Sequence, residues 1–110
     1  MNPVRSPVEL SRSYLLLNHG PVVLVSSAHG ERRNVMAAAW VMPLDFDPPK
    51  VAVVIDARSF TRELIDASGS FALSIPCQDL AAKVLAAGSV SGRDADKFSA
   101  TGLATFAASK

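Results

Sequence analysis

The order of apolar runs along this chain predicts a mainly β fold, a small antiparallel barrel with short helices attached. Strand-like runs come first, in pairs around turn signals, and two short helix signatures then interleave with further strands. The chain has 110 residues with 49% apolar side chains, enough for one core. Periodicity alone leaves an α+β arrangement open beside the barrel.

Residues 1–13 are polar and contain Pro3 and Pro7, which predicts an irregular lead-in. Tyr14 to Leu17 is a short apolar patch closed by the turn signal Asn18-His19-Gly20-Pro21. Val22 to Ala28 reads as a strand bounded by His29-Gly30, and a second strand is expected from Asn34 to Val41. The two form a hairpin whose tip carries Glu31, Arg32 and Arg33, with Gly30 supplying the positive φ of the turn. Pro43 to Pro49 holds three prolines and two aspartates and predicts a loop. Val51 to Ile55 is continuously apolar and mostly β-branched, the pattern of a strand buried on both faces. Phe60 to Ala67 carries the punctuation of a helix: Ser59 as cap, Glu63 in the first turn and Gly69 past the end. Phe71 to Ile75 is a further strand stopped by Pro76. Gln78 to Ala87 is a second helix, opened by Asp79 and ended by Gly88.

This length predicts a single domain over residues 1–110, able to bury roughly 65% of its unfolded surface. Charged residues make up 19% and the net charge is +1, which argues against a broad nucleic-acid footprint. The longest apolar run, Val35 to Met42, is too short to cross a bilayer. Pro3, Arg5, Ser6, Pro7 and Glu9 interrupt any secretory core. Cys77 is the only cysteine, so no internal disulfide is expected and a reducing, cytoplasmic location fits. The apolar surplus suits cover by a second subunit and equally suits an unclosed sheet.

Residues with chemistry to offer gather in three segments. Ser89 to Phe98 places Ser89, Ser91, Gly92, Arg93 and Lys97 within ten residues, directly after a helix. Glycine lets backbone amides approach a ligand and the cations add charge, which suits an anionic, phosphate-bearing cofactor. For an isolated loop of this kind the plainer reading, a solvated helix end, is preferred, and Arg93 can alternatively pair with Asp94 or Asp96 to order the loop. Arg58, Ser59 and Thr61 open a helix, where unpaired amides and the helix dipole favour an anion. Taken alone, Ser59 is a cap and Arg58 a solvated side chain. Asn34 can both donate and accept, which fits a ligand's polar edge or a turn that closes the hairpin. Trp40 can stack on a ring, with core packing the preferred reading. His19 and His29 lack partners at metal-site spacing, Cys77 reads as an inert packed thiol, and Asp45 and Asp47 as solvated carboxylates. No Ser-His-Asp arrangement, Walker loop or GxGxxG motif occurs.

In order, Pro21 to Val25, Asn34 to Trp40, Asp47 to Val51, Arg58 to Ile65, Gly69 to Pro76 and Ser89 to Phe98 resemble the flavin reductase-like family of FMN-binding split barrels, which includes flavoredoxin. The resemblance spans Pro21 to Gly102 and rests on six segments in register, none of them diagnostic alone. It implies an FMN-binding split barrel of which this chain is the N-terminal part, because family members continue beyond the Ser89 to Phe98 loop with strands that close the barrel. It implies a flavin site in which Asn34, Ala37, Ala38, Ala39 and Trp40 lie along the flavin and Arg58, Ser59 and Thr61 meet its phosphate. It implies further that Ser89, Ser91, Gly92 and Lys97 belong to a loop that closes over the cofactor near a subunit boundary, with Lys97 the weaker phosphate candidate. Ala37 stands where relatives often carry Thr or Ser, which removes one hydrogen bond, worth ~1 kcal/mol net. The implied activity is flavin reduction by NADH or NADPH, with hydride passing from nicotinamide C4 to flavin N5. FMN is the expected flavin and FAD an alternative. A homodimer is implied, with a flavin-dependent oxygenase or another electron acceptor as partner. Such chemistry needs no nucleophile and no dedicated acid or base, so no catalytic residue is named and no metal is expected. Three readings stay open beside it: a flavin-binding electron carrier reduced by a partner protein, a non-catalytic shortened family member, and a split-barrel module for another cofactor such as haem.

Overall fold

The computed structural model describes residues 6–89, 91–94 and 96–105, so Val90 and Ala95 of the Ser89 to Phe98 loop lie outside the described residues. The chain runs through β1 (Val23–His29), β2 (Arg32–Ala38), β3 (Val41–Phe46), β4 (Pro49–Val53), α1 (Phe60–Ser68), β5 (Ala72–Ser74), α2 (Ala81–Ala87) and α3 (Lys97–Thr101). Short 3-10 helices precede β1 (Leu10–Leu16) and α2 (Gln78–Leu80). The first of these overlaps the expected irregular lead-in, and the second tightens the opening turn of the expected helix over residues 78–87.

β1 is the centre of a three-stranded antiparallel sheet in the order β2–β1–β5. Its alternation divides the core in two. Val23 and Val25 point to one side with Leu17, Ala38 and Val41, while Leu24 points to the other with Val35 and Ala87. On the first side α1 packs against β1 and β2, with Ile65 against the cluster and Leu64 fully buried. On the second, Val84 of α2 and Phe98 of α3 cover the sheet. Each such buried aliphatic chain contributes about 1.5–3 kcal/mol relative to exposure.

Four features of the expected layout are corrected. The β1–β2 turn is only Gly30-Glu31, with His29 paired to Arg32 and Ala28 to Arg33, so Arg32 and Arg33 lie on the strand and not at the tip. Gly30, at φ 62°, occupies the first central position of that two-residue turn, where a side chain would be strained. The expected Asn34 to Val41 strand breaks at Ala39-Trp40, and the chain restarts as β3. The proline-rich segment is not a loop: β3 and β4 form a second antiparallel hairpin around Asp47-Pro48. Strand geometry tolerates its prolines because Pro43 borders a register shift and Pro49 is the first residue of its strand. The Val51 to Ile55 run is half-buried, with Val51 and Val54 exposed and Val53 and Ile55 turned to the core. The result is mainly β with short attached helices. Among the described residues the two sheets do not join into a closed barrel.

Candidate functional site

One end of β2 meets the N-terminus of α1, and the pocket grows from that junction. Asn34, two residues into β2, is 3% exposed and donates its Nδ2–H to Thr61 Oγ1 at 2.8 Å. Thr61, the second residue of α1, is 1% exposed. The other half of the Asn34 amide, Oδ1, is buried with no hydrogen-bond partner among the described residues. A buried acceptor left unmatched costs about 1–3 kcal/mol, so this atom is poised for a donor. Asn34 therefore does not close the hairpin turn.

Gly92 lies directly over it. A Cβ at this position would overlap the Asn34 carboxamide and stand 2.8 Å from the Phe60 ring, so only glycine permits the approach. Together Asn34, Ser59, Thr61, Ser91, Gly92 and Lys97 line a pocket of about 190 Å³, with Arg93 at its border with the larger groove and Met36 and Phe60 as apolar walls. Six of the sequence-predicted residues thus converge from three separate parts of the chain.

The electrostatics single out Lys97. It opens α3 at 5% exposure, and burial holds its ammonium below the ordinary lysine pKa. No carboxylate pairs with it among the described residues. Ser59 Oγ accepts from the Arg62 amide at 3.1 Å, which fixes the helix start, and the first-turn amides of Phe60 and Thr61 have no intrahelical acceptor. The arrangement offers hydroxyls, amides and one uncompensated cation: the donor set for a phosphate or carboxylate.

A larger groove of about 550 Å³ adjoins it, lined by Arg32, Arg33 and Arg93. Its cations are already matched. Glu63 takes Arg32 at 3.3 Å and Arg93 at 3.1 Å, and Asp96 takes Arg33 at 2.7 Å. Hydrogen bonds from Arg32 hold the Glu63 carboxyl below its usual range, and those from Arg33 do the same for Asp96. The alternative pairing of Arg93 with Asp94 or Asp96 does not form, and Arg93 pairs with Glu63 of α1. Of the two pockets, only the smaller keeps a cation without a carboxylate partner among the described residues, Lys97.

The remaining sequence-predicted residues lie elsewhere. Arg58 is exposed and turned to Asp56 at 3.3 Å, a hydrogen bond that raises its own pKa and lowers that of Asp56. Its backbone carbonyl, not its guanidinium, meets the loop, accepting from Arg93 Nη1 at 3.1 Å. Ser89 donates back to the Leu85 carbonyl at 2.7 Å. Ala37 faces the end of α2 near Gly88, Ala38 is in the core, and Ala39 is exposed. Trp40 is 74% exposed, which corrects the core reading. Cys77 is exposed. Sequence reasoning missed Met36, Phe60 and Glu63. Phe60 was placed as the first helical residue, but nothing local marks Glu63, whose partners lie some 30 residues away along the chain.

A family model described as "Flavin reductase like domain" matches residues 16–109. The uncharacterized protein YddH of Escherichia coli (strain K12) is 50% identical over 99 residues, 88% of this chain and 52% of its own. Among solved structures, the FMN-binding domain of a flavin reductases-like enzyme from Shewanella baltica OS155 superposes with TM-score 0.87 at 45% identity, covering 93% of this chain and 54% of that one. Flavoredoxin of Desulfovibrio vulgaris (Miyazaki F) superposes with TM-score 0.73 at 35% identity, covering 77% and 47%. The chain spans about half the length of these relatives.

Proposed function

The chain belongs to the flavin reductase-like domain family, and from that membership we propose that its pocket holds the phosphate end of FMN. One observation carries the reading: an unmatched buried acceptor, Asn34 Oδ1, and an unmatched buried cation, Lys97, line the same small pocket beneath a glycine. The residues present fit the group. Lys97 neutralises phosphate charge, Ser59, Thr61 and Ser91 supply hydroxyl donors, and Gly92 lets the backbone come close. Asn34 Oδ1 accepts from a ligand N–H or O–H.

A pocket of about 190 Å³ takes a phosphate and the start of a ribityl chain. The ring system would be met by residues at and just past the C-terminal end of β2. With Ala37 facing Gly88 and Ala38 in the core, the backbone there and the exposed Trp40 indole would be its partners. The chemistry supplied by bound FMN is acceptance of hydride from NADH or NADPH at N5. The protein's share is to bind, orient and shield, consistent with a site that holds hydroxyls and a lysine in place of a nucleophile–base pair. FAD in place of FMN, a second subunit beside Trp40, and an oxygenase or other acceptor downstream belong to the same proposal.

A titration of the 110-residue chain with FMN, followed by flavin fluorescence, tests it. Saturable binding, weaker for riboflavin, which lacks the phosphate, is expected, with NAD(P)H oxidation in the presence of FMN. A folded chain with no FMN affinity would sink the reading. Binding with no nicotinamide oxidation would leave a flavin-binding electron carrier.

A further inference from the structure

Ser91, Gly92 and Lys97 reach the pocket from a segment outside the sheet, so something must fix that segment against α1. The two N–H groups at its bend are internal: Arg93 N donates to Ser91 Oγ at 3.2 Å and Asp94 N to the Ser91 carbonyl at 3.1 Å. They shape the turn without tethering it. Arg33 ties the far end of the segment to β2 through Asp96 at 2.7 Å, and the tether to α1 is the Arg93 side chain. Its Nη1 donates to the Arg58 carbonyl at 3.1 Å, its Nη2 to Glu63 Oε2 at 3.1 Å, and its guanidinium lies 5.6 Å from the Phe60 ring centre. Glu63 is itself held from the other side, because its Oε1 accepts from Arg32 Nη1 at 3.3 Å while Arg32 stacks 4.7 Å from the same ring. One carboxylate, one on each oxygen, thus joins β2, α1 and the loop around Phe60, the residue that also walls the pocket.

We propose that Glu63 is a positioning residue for the cofactor loop, acting through Arg93 to hold Gly92 over Asn34. Glu63 does not line the small pocket, whereas Arg93, which it holds, does. Its effect is to reduce the freedom of the loop before binding, so that less ordering remains to be done when an anion enters. Arg serves at position 93 where Lys would not, since the contact needs two separate donors in a fixed fork. The affinity consequence rests on the flavin reading; the loop-holding consequence does not.

The experiment is a double-mutant cycle on the full 110-residue chain with Glu63→Gln, Arg93→Gln and the pair, and Asp66→Asn as a control on the same helix. Two readouts are taken. Hydrogen exchange at the Arg93 and Asp94 amides, measured without ligand, is expected to speed up several-fold in each single variant and no further in the double, with the melting temperature held. The FMN dissociation constant is expected to rise about three- to tenfold in each single variant and not to multiply in the pair. Its salt dependence should flatten in the variants, because the screened tether is already gone. Asp66→Asn should leave both unchanged. Amide exchange equal to wild type in Glu63→Gln, or additive losses in the pair, overturns the proposal. Should the wild-type chain fail to bind FMN, the flavin reading falls and the exchange arm alone decides the role of Glu63.

Discussion

Gly92 and Lys97 set the terms of the site at the scale of single residues, one by what it lacks and the other by what it keeps unmatched. A methyl group at position 92 would meet the Asn34 carboxamide, with Asn34 Cγ at 2.6 Å, and the Phe60 ring at 2.8 Å, both walls of the pocket and both buried. Gly92→Ala should therefore displace the loop and raise the FMN dissociation constant at least tenfold, while the melting temperature changes little because residues 91–94 lie outside both core clusters. Equal affinity for Gly92→Ala and wild type would show that the approach is not needed for binding. Lys97 carries the opposite trade. Its folded pKa is depressed, so below that value the buried ammonium is a full penalty on the folded state, relieved as pH rises towards the unfolded value of 10.5. Lys97→Met should raise the melting temperature of the ligand-free chain at neutral pH, and the gain should shrink as pH climbs towards that value. The same variant should lose most of its FMN affinity. A destabilised Lys97→Met, with affinity intact, would remove the lysine from the anion site.

At the scale of elements, α1 does two things with one residue. Ser59 Oγ caps the helix by accepting from Arg62 N, and Ser59 also lines the pocket. These roles separate by charge. Ser59→Ala removes the cap and should cost about 1 kcal/mol of stability. Ser59→Asp preserves the cap yet places a carboxylate beside the phosphate, so denaturant melts should match wild type while flavin titration shows a large loss. The same element explains what was legible in the sequence. α1 announces itself because Ser59, Glu63 and Gly69 are local signals, and the hydrophobic alternation of β1 is local too. The break at Ala39-Trp40 is not, because an unpunctuated apolar run from Val35 to Met42 hides the point where β2 ends and β3 begins. The β3–β4 hairpin was obscured for the converse reason. Three prolines signal a loop, but their tolerance depends on a register shift and a strand start that only pairing reveals. Asn34, Ser59, Thr61, Ser91, Gly92 and Lys97 were read as site residues from their chemistry and the family resemblance. Arg58 and Ala37 were not brought to the pocket, because the direction in which a side chain leaves its element is set by register, which the sequence does not state.

For the whole molecule the unbalanced feature is the β3–β4 hairpin. Trp40, just before β3, and Met42, Leu44 and Phe46 on it alternate along the chain and are all exposed, as is Val54 across from Trp40, whose carbonyl accepts from the Val54 amide at 2.9 Å. Pro43 and Asp45, between them, are partly buried, so the hairpin turns its more apolar face outward, the reverse of what a lone soluble sheet does. A row of this kind marks a surface that another chain or segment covers. A second copy covering it would bring two Trp40 side chains close to the seam, where an indole can serve the neighbouring flavin site. The consequence is measurable because Trp40 is the only tryptophan in the chain. Dilute protein should emit as a water-exposed indole, and emission should move to the blue as concentration rises, in step with a shift from monomer to dimer on a sizing column. Leu44→Glu puts a charge in the middle of the row without touching the phosphate pocket, and should hold the chain monomeric with red emission at every concentration. If wild-type emission stays red while the chain dimerises, the dimer forms through another face and Trp40 remains in solvent. If the chain stays monomeric and red throughout, this row is covered by something other than a second copy.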